Sequence, residues 1–215
     1  MAVADRASAL RRGVRLEVLT VIWMAAEAAL AIGAGIAARS VLLTAFGFDS
    51  VVELLSGIVL LRRLGLEARG AAAASAERLE RLERTTTRIS AVLLVLLSVY
   101  VVATSVIGLA VGVMPEGSIV GIAVAAVAVV AMPLLALAKA RANRTIGSAS
   151  LRADIAETVT CAYMAGVTLA GVVLSAALGL WWIQYLAALA LLIWLVPETR
   201  EAVEAARHGN EEPHD

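Results

Sequence analysis

Glu27, Asp49, Glu53, Asp154, Glu157 and Cys161 stand within, or at the edge of, long apolar stretches. An Asp near the centre of a membrane helix costs roughly 2.5–3.5 kcal/mol on translocon scales, so several acids together call for a purpose. Asp49 and Glu53 are spaced i, i+4 and share one helical face, which Ser56 continues at i+7. Glu157 and Cys161 repeat the i, i+4 spacing, and Asp154 lies one turn before Glu157. Any one of these acids could be neutralised or hydrogen-bonded to Ser50, Ser56 or Thr158. Cys161 alone could equally be a small buried apolar residue. Taken together, carboxylates and a thiol on facing helices describe a cation site. A membrane Ser-His or Cys-His hydrolase is excluded. The two histidines, His208 and His214, lie in the tail, and no apolar stretch contains one. A single cysteine rules out an intramolecular disulfide framework and a Cys-cluster zinc site. The chain is expected not to be an enzyme and to hold no resident cofactor.

The elements that must position these residues follow from composition. The 215 residues are 61% hydrophobic, only 4% aromatic and formally uncharged, with 18 Lys and Arg against 18 Asp and Glu. Mean hydropathy is +0.88. A soluble domain is about 45–50% apolar, so the composition argues against a water-soluble globule. Zero net charge and the lack of a basic arm argue against a nucleic-acid partner. Six apolar stretches, near 16–38, 40–61, 89–111, 118–137, 151–178 and 180–196, each approach the roughly 20 residues that span a bilayer as a helix. Helix is required because a lone span must satisfy its own backbone, and no short alternating barrel strands occur. The first stretch is too long for a cleaved signal, carries Glu27, and has Arg39 where a cleavage site would fall. The fold class expected is an all-α integral membrane protein of six transmembrane helices.

Basic residues set the orientation. Arg6, Arg11, Arg12 and Arg15 precede the first stretch, and Arg62, Arg63, Arg69, Arg78, Arg81, Arg84 and Arg88 separate the second from the third. Lys139, Arg141, Arg144 and Arg152 separate the fourth from the fifth, and Arg200 and Arg207 follow the sixth. Only Arg39 falls in an alternate loop, so both termini are expected in the cytoplasm, in a multi-pass protein of the cell membrane. Trp181, Trp182 and Tyr185 would form an outer aromatic belt, with Trp194 near the inner face. Expected organisation is a cytoplasmic segment over 1–15, a six-helix domain over 16–197 and a short acidic tail over 198–215. The inner loop, about 62–88, has Glu77–Arg81 and Glu80–Arg84 at helix-supporting spacing and a low-complexity patch at 71–74. Gly33, Gly35, Gly108, Gly112, Gly117, Gly121 and Gly166 read as helix-packing points, with a homodimer face as a second use. Pro133 is a candidate kink.

Depth can be read at 1.5 Å per residue. Glu53 and Asp49 lie about 12 and 18 Å from the inner end of the second stretch, and Glu157 and Cys161 about 9 and 15 Å into the fifth. Glu53 is then expected opposite Glu157, and Asp49 opposite Cys161. Glu27, about 16 Å into the first stretch, sits at a compatible level.

Gly47-Phe48-Asp49-Ser50-Val51-Val52-Glu53 and Ala153-Asp154-Ile155-Ala156-Glu157-Thr158-Val159-Thr160-Cys161 resemble the helix 2 and helix 5 signatures of the cation diffusion facilitators. These are six-span exporters of zinc, manganese, iron and related ions, usually driven by inward proton flow. Their helix 2 supplies an Asp or His and then an Asp four residues on; helix 5 supplies a His and then an Asp. The resemblance covers roughly 14–205 and implies a metal site of Asp49, Glu53, Glu157 and Cys161, with Glu27 and Asp154 as accessory candidates. Glu at 53, Glu at 157 and Cys at 161 depart from the usual types. With neither a cytoplasmic ferredoxin-like domain nor a His in the 2–3 loop, the chain is similar to the short, membrane-only branch.

A carboxylate site suits hard ions such as Mn²⁺ or Mg²⁺, while Zn²⁺ accepts carboxylates and favours His and Cys. Zinc ranks first on the resemblance, with manganese and iron next. The expected function is efflux of a divalent cation from the cytoplasm by proton antiport. A proton-coupled exporter of organic cations and a non-transporting metal-binding membrane protein are the alternatives. The expected partners are the lipid bilayer, the metal ion and protons.

Overall fold

The computed structural model describes residues 2–69 and 76–208. They form six helices: α1 (Ala2–Ala37), α2 (Val41–Ala68), α3 (Ala76–Val111), α4 (Ile119–Ile146), α5 (Ala149–Leu178) and α6 (Ile183–His208). Among the described residues there is no strand. The protein is all-α, as composition and hydropathy require. The patch at 71–74 and the tail beyond His208 lie outside the described residues.

Serines start several of these helices. The hydroxyls of Ser40, Ser118 and Ser148 accept from the backbone N–H groups of Leu43, Gly121 and Leu151, satisfying donors that the first helical turn leaves free. Gly147 and Gly179 end α4 and α5 in the left-handed conformation (φ 72° and 68°). The connections are therefore short, and successive helices run antiparallel.

Helix lengths differ from the hydropathy boundaries. The N-terminal segment belongs to α1, the 2–3 loop is mostly helix at its two ends, and α6 carries on through the first part of the expected acidic tail. Polar, salt-bridged turns thus extend the apolar spans. Arg63 pairs with Glu83 across α2 and α3 at 2.7 Å, Arg84 with Glu80 at 2.7 Å, and Arg81 with Glu77. Among the described residues, five helices, α1 to α5, are long and apolar enough to cross a membrane.

Of these five, α2 is the most enclosed and α3 the least. α2 packs against α1, α3, α5 and α6, while α1 also meets α4, α4 meets α5, and α3 meets α6. The core is built from Met24, Leu42, Leu43, Phe46, Leu94, Met132, Met164 and Leu191. Val92, Leu96, Val99, Ile107, Val130 and Leu134 point outward, the arrangement of helices whose outer surface faces lipid.

The bundle has two chemically distinct ends. The basic end carries the Arg-rich turns. The other end is nearly uncharged: its Arg39 pairs with Glu116 at 3.5 Å, and Glu116 N–H donates to the Ala38 carbonyl at 2.7 Å. Tyr185 belongs to this end as a packing residue rather than an interfacial one. It is buried, and its hydroxyl donates to the Val113 carbonyl at 2.9 Å.

The glycines divide. A Cβ at Gly47 would fall 2.7 Å from the backbone of Ile32, so this residue, two before Asp49, sets how closely α1 and α2 cross. Gly35, Gly108 and Gly121 also face close neighbours, whereas Gly33, Gly112, Gly117 and Gly166 meet nothing within 4 Å and pack no helix in this chain. Pro133 stands inside α4, which continues through it without a break.

Candidate cation site

α2 brings Asp49 and Glu53 to the inner face of the bundle, where they are 1% and 9% exposed. Ser56 lies on the same face but is only half-buried. From α5, Cys161 is fully enclosed, and Glu157 is partly open. Asp49 Oδ1 is buried and accepts no hydrogen bond from any described residue. A buried carboxylate oxygen without a donor is costly unless a cation or proton supplies the missing partner.

Glu27 joins three helices. Its Oε2 accepts from Trp23 Nε1 at 2.5 Å, and its Oε1 accepts from Ser50 Oγ at 2.7 Å and from the Cys161 thiol at 3.6 Å. Its acceptor positions are thus largely held by protein donors, which makes it a clamp between α1, α2 and α5.

Across the helices, the Cys161 thiol donates to Glu27, and the charges of Glu53 and Asp49 both reach it. Glu157 is in turn within electrostatic range of Glu53 and Asp49. α2 and α5 thus bring the two i, i+4 pairs together at one level of the bundle.

Asp154 is tied to a lysine, while its charge also reaches Glu157. Its Oδ2 lies 2.6 Å from Lys139 Nζ, which also pairs with Glu17 Oε2 at 3.0 Å. The reading of Lys139 as a loop cation is overturned: α4 extends to Ile146, so Lys139 sits about two turns inside the helix and is 1% exposed. Glu17, fully buried beside it, escaped the sequence reading, because its position close to the Arg-rich start of the chain suggested solvent.

A second acid was also missed. The charge of Glu198 reaches Asp49, Glu53 and Glu157. Hydropathy ends at Val196 and by itself puts Glu198 in the tail. α6 continues through that point and packs against α2, which brings Glu198 to the site. A helical continuation of the apolar face past Pro197 is the signal that could have found it.

The carboxylates of Asp49, Glu53, Glu157 and Glu198 lie within electrostatic range of one another. Among the described residues no three His, Cys, Asp or Glu side chains are gathered tightly enough to ligate one ion. What the arrangement offers is an acidic, oxygen-rich lining along the central helix, with one thiol at its side.

Residues 18–206 match the family profile of the cation efflux transmembrane domain. No curated protein matches the chain at a significant level. With nearly the whole bundle covered by that match, the chain belongs to the cation efflux family and is a multi-pass membrane protein of divalent-cation efflux.

Proposed function

We propose that this protein exports a divalent transition-metal ion from the cytoplasm in exchange for protons, with zinc as first substrate and manganese or iron next. The observation that carries the reading is Asp49: a carboxylate on the most enclosed helix whose Oδ1 is buried without a donor among the described residues, with Glu53 one turn away. Asp49, Glu53 and Glu157 are the proposed ligands, drawn together around the ion as it binds, with Cys161 beside them and Glu198 adding charge from α6. Ionised carboxylates attract a divalent ion, and protonated ones release it, so a single lining can couple the two fluxes. Donor chemistry supports Mn²⁺ and Fe²⁺ through oxygen, and Zn²⁺ through oxygen with the thiol. The basic end is assigned to the cytoplasm on the distribution of Arg. Exchange of access would come from rocking of helices around this level.

Flux into proteoliposomes tests the proposal. Zn²⁺, Mn²⁺ or Fe²⁺ movement that is accelerated by an opposing proton gradient supports it. Export of organic cations without metal flux, or metal binding without flux, would replace it with one of the two alternatives.

A further inference from the structure

Away from the Asp49–Glu53 level, three ionisable groups are buried together. Lys139 Nζ lies 3.0 Å from Glu17 Oε2 and 2.6 Å from Asp154 Oδ2, with Thr158 Oγ1 at 3.4 Å. The charges do not balance, since two carboxylates face one ammonium. Glu17 Oε1 is buried and has no hydrogen-bond partner among the described residues. It rests against α2 at Gly57, where an added Cβ would come within 3.0 Å of it. A buried excess negative charge calls for a further positive one.

The three residues come from α1, α4 and α5, on the basic side of the site. Asp154 is one turn before Glu157, about 4.5 Å along the axis of α5. The charges of Lys139, Glu17 and Asp154 all reach Glu157. A cation arriving from the basic end along α5 would therefore meet Asp154 before Glu157.

We infer that Glu17 and Asp154 form a second divalent-cation station on the approach to the Asp49–Glu53–Glu157 site, held between transits by the Lys139 ammonium as a tethered stand-in. The inference rests on the efflux reading above. A divalent ion brings two charges against the lysine's one and satisfies both carboxylates, Glu17 Oε1 included, so it can displace Lys139. When the ion moves on to Glu157, the ammonium falls back and closes the approach behind it. With carboxylate and hydroxyl oxygens as donors, the station suits Mn²⁺ among the candidate ions.

Counting bound Mn²⁺ by electron paramagnetic resonance, on the full chain purified in detergent, tests this. Wild type should bind one ion, and Lys139→Met one more. In an Asp49→Asn/Glu157→Gln background, binding should be lost and then restored to one ion by adding Lys139→Met. If Lys139→Met adds no ion in either background, the station is overturned while the efflux reading stands. If wild type binds none and Lys139→Met binds one, the efflux site fails and the station survives. Should Lys139→Met not fold, Glu17→Gln decides, because it leaves Lys139 and Asp154 as a balanced pair. The station requires Mn²⁺ flux at subsaturating metal to fall at least tenfold, with equilibrium binding at the central site unchanged. A wild-type rate would overturn it.

Discussion

The Ser50 hydroxyl donates to Glu27 Oε1 at 2.7 Å across the interface of α1 and α2, immediately beside Asp49 in sequence. Ser50 also donates to the Phe46 carbonyl at 3.0 Å, so one hydroxyl is shared between its own helix and the neighbouring carboxylate. The register of α2 against α1 at the level of Asp49 is held by this contact. Because its acceptor is a buried acid, removing the donor should matter more than an average hydrogen bond would.

Ser50→Ala is expected to lower stability by about 1.5–3 kcal/mol, the range for hydrogen bonds to charged groups. Thermal unfolding in detergent reads this directly. Metal affinity should drop as well, since Asp49 loses its positional anchor; an unchanged melting temperature would show that the contact is incidental.

Glu157→Gln keeps the shape of the side chain but removes its charge and titration. Folding and membrane insertion should be preserved, with metal-driven proton release abolished, and Asp49→Asn should behave alike. A pH dye in weakly buffered detergent solution reports the release. Full release from Glu157→Gln would move the coupling site elsewhere in the bundle.

Glu198→Gln tests the acid contributed by α6. With one fewer negative charge in range of Asp49, Glu53 and Glu157, divalent affinity should fall several-fold while the fold is kept. Calorimetry on the purified variant measures it. Wild-type affinity would return Glu198 to the role of a helix-end residue.

The buried ion triad predicts an order of stabilities. Lys139→Met strands two carboxylates and should cost about 3–5 kcal/mol, the range for breaking a buried pair. Asp154→Asn leaves Lys139 with Glu17 and should cost less. Unfolding curves in detergent give the order, and a more stable Lys139→Met would contradict it.

Orientation can be checked with single introduced cysteines, because the native Cys161 is enclosed and should stay silent. Arg81→Cys, at a well-exposed position on the basic end, should be labelled only after the membrane is opened. Glu116→Cys, exposed at the other end, should be labelled in intact cells. The reverse pattern would invert the proposed direction of transport.

Much of this protein is determined by its sequence alone. The apolar runs demand helices because lipid offers the backbone no hydrogen bonds, and the i, i+4 spacing puts Asp49 with Glu53 and Glu157 with Cys161 on shared faces whatever the packing. The family was legible from the same stretches. The ends of the helices were not. Hydropathy records where lipid stops, whereas a helix stops where its hydrogen bonds and capping stop, at Gly147 for α4 and beyond Arg207 for α6. That difference hides Lys139 and Glu198, which hydropathy puts in loop and tail. Partners across helices were equally out of reach. That Glu27 is met by Trp23, Ser50 and Cys161, and Lys139 by Glu17 and Asp154, depends on how α1, α2, α4 and α5 cross. Contacts such as Gly47 against Ile32 set that crossing, and such closeness is a property of the packed bundle rather than of any one segment.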